Sequence, residues 1–152
     1  GLRELVENAK DIIVDMQLTV EKQYMQRLFS EIRKADGGLS CYGEEEVRNA
    51  TDMGAADLLL LSESLSKKRV VVECPAGHTH ELTVKNADEK IACPTCGSNA
   101  SVIKEEDLID DFFLRADAFN TRVQIISPDS EEGDMLLKAF GGIAAILRYK
   151  VN

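Results

Sequence analysis

This sequence has no long apolar run. Its leucine run, Leu58 to Leu61, is far too short to cross a bilayer. The first residues, Gly1-Leu2-Arg3-Glu4, carry neither an initiator methionine nor the apolar core of a signal peptide, so a piece of a longer cytoplasmic protein is expected. Basic residues are few: 18 Lys and Arg stand against 27 Asp and Glu, a net charge of −9. A nucleic-acid binder needs a basic face to neutralise phosphates, which makes this chain a poor candidate for that role. An acidic surface of this kind either stays solvated or faces a basic partner. There is no G-x-x-x-x-G-K-[ST] loop and no G-x-S-x-G elbow. What is present is the composition of a folded chain: 152 residues, 44 % apolar and 30 % charged. That is enough for one domain with a real core and a small appendage.

Leu2, Leu5, Val6, Ala9, Ile12, Ile13 and Met16 recur at helical spacing, which predicts a helix ending near Asp15 to Thr19. Val20, Tyr24, Leu28, Phe29, Ile32 and Ala35 predict a second helix, stopped at Asp36-Gly37-Gly38. A short helix is expected from Glu44 to about Met53, its three leading glutamates suiting the positive end of the helix dipole. Ala55 to Ser62 reads as a strand covered on both faces, and Arg69 to Glu73 as another. Residues 74–101 hold two of the three prolines, three of the four cysteines and both histidines, and read as an inserted minidomain. Leu108 through Phe119 predicts a helix, and Arg122 to Ser127 a strand. Asp129 with Glu132 resembles a capping box opening a helix through Ala139. Ala145, Leu147, Tyr149 and Val151 alternate as a last strand. The alternation of helices and strands predicts an α/β fold, a three-layer α/β/α sandwich.

The strongest chemical signal is Cys93-Pro94-Thr95-Cys96-Gly97. Two residues between cysteines let a turn aim both thiolates at one tetrahedral ion. Cys74-Pro75-Ala76-Gly77-His78-Thr79-His80 supplies the other half-site, with 18 residues between Cys74 and Cys93, enough for a hairpin. The expected ligands are Cys74, His78, Cys93 and Cys96, with His80 as the competing histidine. Soft sulfur with borderline nitrogen favours zinc, or iron in a rubredoxin-like variant. Disulfides or free thiols are the alternative, and a cytosolic chain disfavours disulfides. Three cysteines and a histidine close the coordination shell, so the metal is expected to be structural, and a zinc hydrolase is not. Cys41 stands apart, with 32 residues between it and Cys74, and reads as a buried thiol. The acidic pairs Glu105-Glu106 and Asp110-Asp111 read as a solvated helix surface, since helical neighbours do not face each other. With both histidines at the knuckle, no base remains for a catalytic triad, and no enzyme is expected.

Two stretches carry a family resemblance. Gly43 through Leu61, with Glu44-Glu45-Glu46-Val47, Ala50 and Met53-Gly54-Ala55-Ala56-Asp57, resembles the helix–strand unit shared by L7Ae/L30e-type ribosomal proteins and release factors. Phe140-Gly141-Gly142-Ile143-Ala144-Ala145-Ile146-Leu147-Arg148-Tyr149 resembles the F-G-G-I-G-G-I-L-R-Y segment of archaeal and eukaryotic class-1 peptide chain release factors, with two alanines in place of the second glycine pair. Ser130 to Gly133 and the helix carrying Tyr24, Leu28 and Phe29 fit as well. The cysteine-rich insert is similar to the zinc minidomain of archaeal members. The resemblance implies an L7Ae/L30e-like sandwich over residues 17–152, with a zinc-ribbon-like insert at 74–101 and residues 1–16 ending a preceding middle domain. It also implies a part in translation termination. The family releases peptide through a Gly-Gly-Gln loop on its middle domain, whereas the Gly-Gly pairs here are followed by Leu39 and Ile143.

The resemblance therefore implies a non-catalytic, partner-binding C-terminal domain. Its implied partners are a translational GTPase resembling an elongation factor, an ABC-type ribosome-recycling ATPase and, in the full-length protein, the ribosome. The expected docking residues are Phe140, Gly141, Gly142, Ile143, Ile146, Leu147, Arg148 and Tyr149, with Ile146 and Arg148 at the surface. An RNA-binding module of L7Ae type is the alternative, but Glu44, Glu45 and Glu46 stand where phosphate would approach.

Overall fold

The computed structural model describes residues 1–151. The elements in order are α1 (Leu2–Ile32), β1 (Ser40–Tyr42), α2 (Glu44–Asp52), β2 (Ala56–Ser62), β3 (Lys68–Glu73), β4 (Thr79–Val84), β5 (Ile91–Ala92), β6 (Asn99–Asp107), α3 (Leu108–Ala118), β7 (Arg122–Ile126), α4 (Glu131–Ala139) and β8 (Ile143–Leu147). They form two compact units, one of Gly1–Ser64 with the chain from Ala116 onward, the other Leu65–Arg115. The fold is mixed α/β.

In the first unit the strands lie in the order β1-β8-β2-β7. β2 runs parallel to β7, pairing Leu58 with Arg122 through Ser62 with Ile126, and antiparallel to β8. β1 adds antiparallel to β8, Tyr42 beside Ala144. Alternate residues of a strand face opposite ways. Leu58, Leu60, Ala144, Ile146 and Ile126 meet Met25 and Leu28 of α1 and Leu136 of α4 in one buried cluster. Leu59, Leu61, Ile143 and Ala145 are buried on the other face, and α2, burying Val47, Ala50 and Thr51, packs on β1, β2 and β8. The leucine run is thus covered on both sides, as its lack of alternation predicts.

Several sequence expectations change here. The two N-terminal helices are one. Residues 2–32 contain no glycine or proline to end the helix. Thr19 spends its hydroxyl on the Asp15 carbonyl at 2.8 Å, inside the helix. β1 was not foreseen, since three residues carry no legible period. α4 is capped by Ser130, not Asp129: its hydroxyl accepts the Gly133 amide at 2.9 Å. The last strand is Ile143–Leu147, all five residues buried, so Tyr149 and Val151 lie beyond it and its inner residues do not alternate.

The second unit is wider than the cysteine-rich stretch. Its sheet order is β4-β3-β6-β5. β3 pairs antiparallel with β4 and with β6, which draws Lys68–Glu73 and the chain up to Asp107 into the same sheet. Glu105 and Glu106 are therefore strand residues of β6, not helix surface. Val70, Val72 and Ile91 form the small core, flanked by Leu82, Val84, Ala100 and Val102. Across β3, β4 and α3, Glu81 pairs with Arg69 and Arg115, and Arg115 also with Asp111.

Candidate metal centre and partner surface

Two matched turns build the candidate metal centre. In the first, the Cys74 amide donates to the His78 carbonyl at 3.1 Å and the Gly77 amide to the Cys74 carbonyl at 2.9 Å. In the second, the Cys93 amide donates to the Ser98 carbonyl at 2.7 Å and the Gly97 amide to the Cys93 carbonyl at 2.8 Å. The turns bring Cys74, His78, Cys93 and Cys96 together, with all four ligand atoms within 4.8 Å of one another. Cys74 Sγ lies 3.8 Å from Cys96 Sγ. His78 Nδ1 lies 3.3 Å from Cys74 Sγ and 3.7 Å from Cys93 Sγ.

These distances test the metal directly. A tetrahedral zinc with Zn–S of about 2.3 Å and Zn–N of about 2.1 Å has S···S edges of roughly 3.8 Å and S···N edges of roughly 3.6 Å. A disulfide needs sulfurs at about 2.05 Å, and all four cysteines are free. The cluster therefore fits a metal and could hold one. The Ser98 hydroxyl and amide, then His78, draw the Cys96 thiol down to about 6. Thiolate is the form a metal takes. Hydrogen bonds donated by the protonated His78 ring to Cys96 and Cys93 favour its charged form and push it above its ordinary value.

His78, not His80, lies with the three cysteines. His80 Nε2 lies 2.8 Å from Thr95 Oγ1, so it braces the second turn from outside the cluster. Cys41 is only half-buried. Burial, with Glu46 adding to it, pushes its thiol up to about 12, which leaves it unreactive.

The ten-residue segment from Phe140 to Tyr149 does not form one patch. Ile143, Ile146 and Leu147 are buried, Ile146 at 1 % exposure, so the expectation of Ile146 at the surface is corrected. It pairs beside Leu58 on β2 and faces α1 and α4. Ala144 and Ala145 are fully buried as well. Five residues of strand extend about 17 Å and separate a Phe140 end from an Arg148 end.

At the Phe140 end, Gly141 takes φ +68° as the left-handed residue that ends α4, and the Gly142 amide returns to the Leu136 carbonyl at 2.9 Å. Phe140 packs edge-on to Tyr42, centroids 4.9 Å apart, and lies 6.3 Å from Phe29. Tyr42 and Met135 are each 48 % exposed. Beside them α1 and α4 border a groove of about 340 Å³ lined by Gln26, Phe29, Arg33, Glu131, Glu132 and Met135. Phe29, Tyr42 and Met135 were not among the docking residues expected from the sequence, because they stand on three separate elements.

At the other end Arg148 acts as a clamp. Its guanidinium donates to the Gly54 carbonyl at 3.1 Å and the Asn120 carbonyl at 2.8 Å. Arg148 also lies 4.0 Å from Asp57, which pairs with Arg27 and Arg122 too. Tyr149 donates its hydroxyl to the Met53 carbonyl at 3.0 Å. Arg148→Ala is accordingly expected to lower stability by about 1 kcal/mol, the charged hydrogen bonds being discounted for their exposure. Thermal unfolding checks this, and an unchanged melting temperature contradicts the clamp.

A mixed α/β domain joined to a sheet with a three-cysteine, one-histidine cluster defines the class of the molecule. The family model described as eRF1 domain 3 matches residues 18–151. Peptide chain release factor subunit 1 of Methanobrevibacter smithii is 45 % identical, the match covering 100 % of this chain and 38 % of that protein. The protein of the same description from Thermoplasma acidophilum is 42 % identical over 98 % of this chain and 36 % of its own length. The solved C-terminal domain of a peptide chain release factor from Methanosarcina mazei superimposes with a TM-score of 0.84 at 40 % identity, covering 98 % of this chain and 94 % of that one. The chain belongs to the eRF1 domain 3 family. It spans well under half the length of the curated relatives it matches.

Proposed function

We propose that the chain is the partner-binding C-terminal domain of a translation termination factor. It docks a translational GTPase, and an ABC-type recycling ATPase, in support of stop-codon-dependent peptide release at the ribosome in the cytoplasm. The observation that carries the GTPase reading is the aromatic and thioether surface at the Phe140 end of β8, where Tyr42 and Met135 are exposed and Phe29 and Phe140 half-buried. Phe140, Tyr42, Phe29 and Met135 stand there beside a groove, and aromatic residues and methionine are enriched at interface hot spots. Gly141 and Gly142 shape its turn, and Ile143, Ile146 and Leu147 support it from the core. Arg148 and Tyr149 hold the far end. The family resemblance carries the ATPase partner.

We read the first unit as a three-layer α/β/α sandwich of the L7Ae/L30e type, and Cys74, His78, Cys93 and Cys96 as ligands of a structural zinc in a ribbon-like insert. Residues 1–16 are read as the end of a preceding middle domain. A closed ligand set supplies no open position for a catalytic water, and no hydrolysis is assigned to this chain. Among the described residues, no helix is long and apolar enough to cross a membrane.

Calorimetry with a translational GTPase of the elongation-factor type tests the docking reading. Met135→Ala and Tyr42→Ala are each expected to weaken binding by about 1–3 kcal/mol with little change in melting temperature, while Glu45→Gln leaves it unchanged. Full affinity in both variants, still folded, sends the docking surface elsewhere. In the same series the chain alone is expected to release no peptide from ribosome-bound peptidyl-tRNA above a buffer blank.

A further inference from the structure

A second surface lies on the middle of α1, away from the aromatic groove. A cavity of about 390 Å³ opens there, lined by Val14, Leu18, Glu21, Glu63, Ile125 and Asp129, with Gln17, Gln124 and Ser127 completing its wall. It sits past the carboxyl ends of the parallel pair, since Glu63 follows β2 and Ser127 and Asp129 follow β7. This is where open α/β sheets bind ligands. Glu21 is 9 % exposed, and one carboxylate oxygen accepts the Ser127 amide at 2.7 Å, which fixes the side chain in the wall. Glu63 and Asp129 are exposed beside it. The cavity continues into an apolar groove of about 470 Å³ lined by Ile13, Met16 and Val20, because Gln17 and Gln124 line both. Ile13 is 54 % exposed and Met16 63 %.

The lining states what fits. Among the described residues, the group close enough to share a small ion is the Cys/His cluster, and the three carboxylates are not part of it. They are spread around a space far larger than one cation. Their apolar neighbours, Val14, Leu18 and Ile125, suit the methylenes of a long basic side chain whose charged head reaches the acids. The exposed groove beside it suits an aliphatic neighbour on the same segment. The charge selects among occupants: an anionic nucleic acid or lipid surface is repelled, and a second copy brings another −9.

We propose that this composite surface docks a basic amphipathic segment of a partner protein, with a lysine or arginine in the acidic cavity and an aliphatic side chain in the Ile13–Met16–Val20 groove. The proposal is independent of the GTPase reading, which uses other residues.

The test is an amide-shift titration of the chain with a synthetic Leu/Lys amphipathic peptide. The expected result is saturable shifts at Gln17, Glu21, Gln124 and Ser127. The double variant Glu63→Gln/Asp129→Asn should bind roughly tenfold more weakly, while Glu45→Gln/Glu46→Gln, with the same charge change, binds as before. Met16→Ser should also weaken binding. Equal weakening in both charge variants reduces the effect to net charge and overturns the proposal, as do shifts centred elsewhere. Concentration-dependent dimers that bury these residues assign the face to a second copy instead. If a longer chain that includes the preceding residues shows the face already covered, the occupant is that preceding segment, and the partner assignment fails.

Discussion

Cys93→Ser is expected to abolish metal binding and unfold the second unit while the first stays folded. The wild-type chain, purified under reducing conditions, should carry about one zinc, held by Cys74, His78, Cys93 and Cys96. The second unit has a small core: Val70 and Val72 in the sheet, with Ile91 nearly buried, and Leu108 and Phe112 on α3. Cores this small usually need a metal or a disulfide, and the cysteines are free. Hydrogen exchange read by unit is the measurement. Amides of β3, β4 and β6 should lose protection, whereas β2, β7 and β8, built on Leu58, Leu60 and Ile126, should keep theirs. His78→Ala should lose the metal and His80→Ala should keep it, since His80 bonds Thr95 rather than the cluster. Acidification should release the ion as the thiolates protonate. Metal analysis showing neither zinc nor iron in the wild-type chain would falsify the assignment.

Gly133→Ala should be the most damaging single-methyl change in the first unit, costing about 3 kcal/mol. A Cβ at this position would stand 1.8 Å from the Ser127 carbonyl oxygen and 2.9 Å from its carbon. Both atoms are backbone and cannot swing aside. The Gly133 amide is also the one held by the Ser130 cap, so relieving the clash by shifting the helix start breaks the cap. The loop after β7 would have to move, and with it the Ser127 amide bonded to Glu21. Denaturant unfolding measures the loss. A variant within about 1 kcal/mol of wild type contradicts the close approach. Gly141→Ala is a useful comparison, because its added Cβ meets no neighbour, and any cost there comes from the left-handed backbone alone.

The Cys/His cluster was legible because its signal is local. Cys93-Pro94-Thr95-Cys96 sets two thiols one turn apart, and the Cys74 half-site repeats the arrangement. A turn of fixed geometry needs no distant partner to aim its side chains. The choice between His78 and His80 was not local. Both lie within reach of Cys74 along the chain, and the pairing of β3 with β4, which sets Val72 beside His80, decides which ring faces the cysteines.

The helices and half of the strands were legible from residue pattern, and the leucine run announced a strand covered on both sides. The break foreseen in α1 was an error of a different kind. Asp15 and Thr19 are polar, but a helix interrupted by neither glycine nor proline continues through them, since its backbone bonds do not depend on those side chains. The wider second unit was hidden because the charged ends of β3 and β6 resemble surface in any conformation. Lys68 opposite Asp107 and Arg69 opposite Glu106 become a sheet only by pairing across a long sequence gap.

By itself, the sequence determined the acidic charge, the cluster-forming cysteines, the central leucine strand and the family segment from Phe140 to Tyr149. All of these follow from residue identity and short spacing. Only the tertiary structure decided which parts of that segment reach solvent. Ile146 is removed from the surface because α1 and α4 close over β8, whereas Phe140 is joined by Tyr42 from β1 and by Phe29 from α1. The acidic cavity is a tertiary product in the same way. Glu21, Glu63 and Asp129 are far apart in the chain, and the parallel pairing of β2 with β7 beneath α1 gathers their charges around one space. Such convergence rests on long-range packing, and no local period records it.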